Sequence, residues 1–290
     1  MKKIEKINFC SLCESKKIKT IDPKINMCKC LECGHFFINP RPSIDRIKKY
    51  YSESDNFEFW QSLEEGFDAL SKRRVELIKR FRTKGDILDV GAGIGQLLFF
   101  AKNTFKIHGT EVSKIAIKIA KDKYKMKLTE GDLEEINFKN QKYDIITMFH
   151  VLEHVHNPGK QIKICKNLLN KKGILAVAVP NDVHGFLKLP LKRLFRFLKL
   201  GQYKHYGKFG MAKIEIDQSM GEIHLSQFTA PVLVKFFEEN GVRILFNSLD
   251  PYYVPDNFKN RAKYNFFKFL KSITNKNYYD TILIVAEKLE

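Results

Sequence analysis

Residues 86–96 read DILDVGAGIGQ, an apolar run broken by Asp89 and followed by glycines at 91, 93 and 95. Such a run is a buried strand. Glycines at alternate positions after it let the chain turn tightly and approach a ligand before a helix begins. Turns of this kind hold nucleotides at strand ends. Around it lies a chain of 290 residues, 44% apolar, enough for one large domain with an appendage.

Outward from the turn, strands and helices alternate. Residues 94–104 form the helix after the first strand. KIHGTEV (106–112) is a second strand, followed by the helix SKIAIKIAKDKY (113–124) with Ser113 as its cap. KLTEGD (127–132) is a third strand, and YDIITMFHVLEHV (143–155) a fourth with its turn. A helix over 161–173 ends at Gly173, and GILAVAVPN (173–181) reads as a buried parallel strand. After a break, HLSQFTAPVLVKFFEENG (224–241) is helical, and 242–253 and 278–288 are strand-like. Repeated strand–helix units imply an α/β doubly wound sheet over 84–290. Before it, residues 43–83 form a helical connector, with Phe67, Leu70, Val75, Ile78 and Phe81 near one face.

The acids narrow the ligand. Asp89 ends strand one, Glu111 strand two and Asp132 strand three, and in an open α/β sheet all three line one crevice. An acid at the end of strand two suits a ribose diol. A dinucleotide fingerprint needs glycine at position 96, which is Gln96. No Lys or Arg lies between Asp89 and Ala101, and no G-K-[ST] is present for a polyphosphate. An acid-ringed crevice suits instead a nucleoside bearing an ammonium and a sulfonium, which describes S-adenosylmethionine.

LDVGAGIGQLL, Glu111, EGDLEEI, YDIITMFHVLEHV and GILAVAVPN together resemble the motifs of class I S-adenosylmethionine-dependent methyltransferases. The resemblance covers about 84–182 and, more loosely, the last seventy residues. It implies a Rossmann-like seven-stranded sheet whose antiparallel last strand is YYDTILIVAEK. It also implies that Gly91, Ala92, Gly93 and Gly95 bring backbone to the methionine and adenosine. Asp89 would steer the loop or meet the ammonium through water, and Glu111 with Val112 would hold the ribose. Asp132 with Leu133 would meet the adenine, with Glu130 a near alternative, and Phe149 and His150 would line the methyl-transfer mouth.

A base near neutral pH is needed where the acceptor is an oxygen or carbon acid. HVLEHVHNP offers His150, Glu153, His154 and His156, and His224 can approach from the later half. His154, His150 and His224 are the candidate catalytic residues. The alternative is that EHV packs or caps the next helix, and His156 is expected at the surface. A metal held by this His/Glu group is a further reading.

Five of six cysteines lie in the first 33 residues. Cys10-x2-Cys13, sixteen residues, then Cys30-x2-Cys33 fits a structural four-thiolate zinc site, so residues 1–42 read as a small zinc ribbon. Cys28 and His35 are spare ligands, and a metal-free arm is the plainer alternative. CLECGHFFINPRP also resembles the ribbon arm of some bacterial methyltransferases of sugar and polysaccharide pathways.

Net charge is +18, from 51 basic and 33 acidic residues, which favours anionic partners. Residues 183–213 hold eight Lys or Arg and no acid. Leu191, Leu194, Phe195 and Leu198 give this stretch an amphipathic helical pattern. A basic lid insertion at about 183–222 suits an anionic small-molecule acceptor, such as a nucleotide-linked or lipid-linked sugar. Contact of 186–200 with an anionic membrane and docking of RNA are the other readings. Without a signal peptide or an 18-residue apolar run, the chain is expected in the cytoplasm, or peripherally at the inner face of the membrane. An RNA methyltransferase and a non-catalytic S-adenosylmethionine binder are the alternative functions.

Overall fold

A computed structural model describes residues 4–53, 64–181, 223–253 and 256–289, with 194, 197–198, 207 and 213–214. Five short strands open the chain: β1 (Ile4–Glu5), β2 (Ile18–Asp22), β3 (Met27–Cys30), β4 (Phe36–Ile38) and β5 (Arg41–Pro42). β3 pairs antiparallel with β2 and β4, and β1 with β5. Among the described residues the connector contributes the helices α1 (Ile44–Glu53) and α2 (Glu64–Lys79). Leu70, Val75 and Ile78 are the buried side of α2, as their spacing predicts.

The alternating region follows as β6 (Asp86–Val90), α3 (Gln96–Ala101), β7 (Lys106–Glu111), α4 (Lys114–Tyr124), β8 (Thr129–Glu130), β9 (Tyr143–Phe149), α5 (Pro158–Leu168) and β10 (Leu169–Pro180). It closes with β11 (Ser226–Gln227), α6 (Ala230–Glu239), β12 (Val242–Ser248), α7 (Phe258–Thr274) and β13 (Thr281–Lys288). The seven-stranded sheet has the order β12-β13-β10-β9-β6-β7-β8. β13 runs antiparallel to both its neighbours, while β10, β9, β6, β7 and β8 pair parallel. Residues 281–286 and 173–179 are buried throughout, which explains their unbroken apolar runs. Ser113 caps α4 by accepting from the Ala116 N–H.

Several boundaries depart from the sequence reading. α5 stops at Leu168, not Gly173, because Leu169 is buried beside its strand partner Tyr143. The pairing then slips between Leu169 and Ile174, with Lys172 at φ +61°. β8 is two residues long, so Asp132 sits just past its end. The helix expected from His224 begins at Ala230, where Pro231 occupies its first turn. Ser226–Gln227 is the short strand β11 instead, and it pairs with β4. A strand from the far end of the chain thus completes the N-terminal sheet, in the order β11-β4-β3-β2. The amphipathic pattern at 186–200 lies outside the described residues except for Leu194, Phe197 and Leu198, which are exposed.

The N-terminal unit also docks on α5. The Gly159 N–H, one of the helix's unpaired first-turn donors, bonds to the Ser11 carbonyl at 3.3 Å. A Cβ on Gly159 would lie 1.9 Å from the Leu12 carbonyl oxygen, a backbone atom that cannot swing aside. Gly159→Ala is therefore expected to destabilise the fold by about 1–3 kcal/mol, despite alanine's better helix propensity. Urea unfolding with an unchanged midpoint would show that the docking yields at no cost.

Candidate functional site

A cavity of about 740 Å³ lies across the carboxyl ends of β6, β7, β8 and β9. Its wall includes Asp89, Gly91, Ala92, Gly93, Glu111, Val112, Asp132, Leu133, Phe149, His150, His154 and His224. Gly95 is the exception among the expected ligand-binding positions. It lies off the wall as the left-handed N-cap of α3, at φ +85°, facing Met126.

The glycine turn is specified by close approach as well as by curvature. Gly91 has φ +66°, and a Cβ there would lie 2.5 Å from Val151. Glu111 holds the turn from the neighbouring strand. Its Oε2 accepts from the Gly93 N–H at 2.8 Å, and its Oε1 from the N–H groups of Val112 at 2.7 Å and Ser113 at 2.9 Å. Burial raises its pKa against these three donors. Asp132 accepts from Gln161 Nε2 at 2.8 Å and from the Glu134 N–H at 2.9 Å. Glu130, the alternative, is exposed beside Lys114 and does not line the cavity. Asp89 is buried and accepts from Thr147 Oγ1 at 2.6 Å.

The other half of the cavity joins Phe149, His150, His154 and His224 to Arg74 and Tyr51, which nothing in their sequence neighbourhood marks. Arg74 of α2 is buried, lies over the Phe149 ring at 4.4 Å and pairs with Asp250 in the loop after β12. Burial opposes ionisation of Asp250, but Arg74 and His150 outweigh it and hold the carboxyl at about 2. His150 has φ +56°, an uncommon backbone for a side chain of its size, with its N–H bonded to the Ala178 carbonyl at 2.8 Å. Its Nε2 is 3.4 Å from Asp250, its Nδ1 3.4 Å from Glu153. Burial disfavours the imidazolium, yet these carboxylates raise its pKa.

His154 stands next to Tyr51 of α1, with Nδ1 2.8 Å from the tyrosine oxygen and 2.8 Å from the Ile223 carbonyl. A carbonyl only accepts, so Nδ1 carries the proton and Nε2 is the basic nitrogen. The His224 ring lies 4.9 Å from that of His154. Beneath them Glu153 is 1% exposed, and among the described residues neither carboxylate oxygen has a hydrogen-bond partner. Ligand atoms of Glu153, His154 and His224 all lie within 4.8 Å of one another, a carboxylate and two imidazoles able to meet one divalent ion. His156 is buried rather than at the surface, with Nε2 3.0 Å from the Pro42 carbonyl, because the N-terminal unit covers it.

The thiols of Cys10, Cys13, Cys30 and Cys33 form a second cluster. Cys10 Sγ is 3.7 Å from Cys33 Sγ, and Cys13 Sγ is 3.6 Å from Cys30 Sγ. Four thiolates at ~2.3 Å from one zinc lie ~3.8 Å apart, so the spacing fits that ion. Neither spare candidate belongs to the cluster. Cys28 faces Thr20 and the Asn39 carbonyl, and His35 stacks between Phe37 and Phe228 with both ring nitrogens unbonded.

Residues 62–245 match the family model described as a methyltransferase domain. The chain belongs to this family. An uncharacterised protein of Methanocaldococcus jannaschii is 29% identical over 192 residues, 62% of this chain and 71% of that protein. Another from the same organism is 33% identical over 113 residues, 39% of this chain and 53% of its own length. A ubiquinone biosynthesis O-methyltransferase of Coxiella burnetii is 33% identical over 101 residues, 33% of this chain and 43% of that enzyme. The chain thus spans about half the length of two of these three relatives. Among solved structures, magnesium protoporphyrin IX methyltransferase from Synechocystis with bound S-adenosylhomocysteine shares the fold. Its TM-score is 0.56 at 14% identity, covering 85% of this chain and 100% of that one.

Burial lifts the Asp89 carboxyl to about 7, against the Thr147 hydrogen bond and the Arg74 charge. A folded value above the unfolded one gives stability that is complete below about pH 4 and lost as pH rises through 7. Asp89→Asn still accepts from Thr147 and lacks this loss. In urea unfolding its advantage over wild type is expected to grow from about pH 5 to 8. A cationic ligand favours the ionised carboxyl, so calorimetry should show wild-type affinity for S-adenosylmethionine rising over the same range more steeply than the variant's. A pH-independent stability difference would refute the buried-acid assignment.

Proposed function

We propose that the protein transfers a methyl group from S-adenosylmethionine to a hydroxyl of a small anionic acceptor, a sugar carried on a nucleotide or on a lipid. The observation that carries this reading is the single cavity that joins the glycine turn and Glu111 to the His150, His154 and His224 group. S-adenosylmethionine, when bound, supplies an electrophilic methyl on a sulfonium. The residues around it fit such a ligand: the Asp89 and Glu111 carboxylates favour a cation, and Glu111 retains lone pairs for a ribose diol.

His154 is the candidate base. Its Nδ1 proton is held by the Ile223 carbonyl, so Nε2, 3.9 Å from the buried Glu153 carboxylate, is the nitrogen that takes the acceptor's proton as the oxygen is methylated. Tyr51 fixes the same ring from α1, and His224 closes the cavity beside it. In-line displacement gains most from positioning, so the buried Arg74–Asp250 pair and Phe149 matter as walls that fix His150. An anionic acceptor agrees with the acid-free, Lys- and Arg-rich stretch at 183–213. The four-cysteine unit is read as a structural zinc ribbon, a closed site without an open position for chemistry.

Glu111→Ala is expected to weaken S-adenosylmethionine binding more than tenfold in calorimetry. Unchanged binding would remove the ribose role. Incubating the wild type with methyl-labelled S-adenosylmethionine and extract from cells lacking the gene should put label in the soluble anionic or lipid fraction. Label in RNA would establish the RNA methyltransferase alternative, and no label beside intact binding would leave a non-catalytic binder. His154→Ala should lower transfer at least a hundredfold with S-adenosylmethionine affinity retained.

Metal analysis should find about one zinc per chain, lost in Cys13→Ser. Less than half an equivalent in freshly purified wild type would refute the ribbon site.

A further inference from the structure

Helix α7 carries an apolar stripe on its outer side. Phe258 is 88% exposed, Phe266 57%, Phe269 64% and Ile273 64%. At ~100° per residue these four fall within about 80° of arc, and exposed Ala262 lies between them. The opposite side already has its partners: Phe267 is buried against Leu249 and Tyr279, with Tyr264 and Leu270 beside it. The helix is thus amphipathic twice over, with one apolar side in the core and another facing out.

Charge identifies what the outer side meets. Residues 257–279 hold six Lys or Arg and no Asp or Glu. Lys259, Arg261 and Lys268 are exposed along the stripe, and Lys276 lies just past its end. Arg261 and Lys263 lean on Asp256 and Asp280 at the helix roots. A second copy of this chain would bring two cationic faces together and is disfavoured. An anionic lipid surface satisfies both features, taking the phenyl rings at the headgroup boundary and the ammonium groups among the phosphates.

The helix is also rooted at the cavity. Tyr252 before it and Asp280 and Thr281 after it line the cavity wall. From this we propose that α7 docks the protein on an anionic membrane through Phe258, Phe266, Phe269 and Ile273, with the cavity rim at the lipid surface. The docking does not depend on methyl transfer. Where the acceptor is lipid-borne, it gives that acceptor a short path to the cavity.

The test is flotation of the full chain with vesicles of phosphatidylcholine containing 30 mol% phosphatidylglycerol, against pure phosphatidylcholine, at ~0.15 M salt. Binding is expected on the anionic vesicles only. Phe266→Ser/Phe269→Ser should reduce it at least tenfold, and Lys259→Gln/Lys268→Gln severalfold, both with S-adenosylmethionine affinity unchanged. Phe269→Trp in a Trp60→Phe background should shift its emission to the blue on vesicle addition. Absence of wild-type binding would overturn the proposal. So would wild-type binding by the phenylalanine double variant, which would move the contact to another element. A concentration-dependent dimer abolished by that variant, without vesicle binding, would assign the stripe to self-association instead.

Discussion

Four buried carboxylates, two of them held by one buried guanidinium, set the terms for the rest of the molecule. Asp89, Glu111, Glu153 and Asp250 are each 8% exposed or less, and the buried Arg74 pairs with Asp250 and acts on Asp89. Three of the four sit at or just beyond the ends of strands, where the doubly wound sheet opens its crevice. Burying acids is costly unless they are bonded or paired. Each has a separate solution: three backbone N–H groups for Glu111, a hydroxyl and partial protonation for Asp89, and a guanidinium for Asp250. Glu153 has two imidazoles near it and, among the described residues, no hydrogen-bond partner. A chain with a net charge of +18 therefore hides a crevice that attracts cations, while its own cations face outward toward anionic surroundings.

The sequence disclosed the parts whose chemistry is local. The glycines at 91 and 93, Glu111 at the end of its strand and Ser113 as a helix cap each follow from neighbours a few residues away. The cysteine pairs are equally local, since a two-residue gap aims two thiols at one point. The terminal strand was legible because its apolar run is unbroken, and its antiparallel sense came from the family resemblance. The α/β fold class and most of the residues that line the glycine-turn side of the cavity were thus legible in the sequence alone.

What was not readable depends on distant packing. Arg74 and Asp250 are 176 residues apart, and nothing in either neighbourhood announces the pair. Tyr51 reaches His154 across 103 residues. A two-residue strand such as β11 has no periodicity, so 224–229 took on the helical pattern that properly starts at Ala230. His156 has a polar local context and is buried only because the N-terminal unit lies over it. The outer stripe of α7 needed knowledge of which side faces the core, since Phe267 and Phe266 are adjacent in sequence and opposite in fate.

These long-range ties divide the cavity into two unequal halves. Asp89 and Glu111 hang on central strands and on the backbone of the glycine turn, inside the doubly wound sheet. His224 has no such anchor. The Leu225 and Ser226 N–H groups both bond to the Glu153 carbonyl, at 2.8 and 3.0 Å, and the Leu225 carbonyl accepts from Ile38 of the N-terminal sheet at 2.9 Å. β11 then pairs Ser226 and Gln227 with Phe37 and Phe36, a few residues from Cys33. The segment that carries His224 is a strand of the cysteine-rich unit as much as a loop of the methyltransferase domain. The four-thiol unit and the His154–His224–Glu153 group are therefore joined by continuous backbone pairing through β4 and β11. Among the described residues none before Ile44 lines the cavity, so the two-residue strand that no pattern marked is what ties the N-terminal unit to His224.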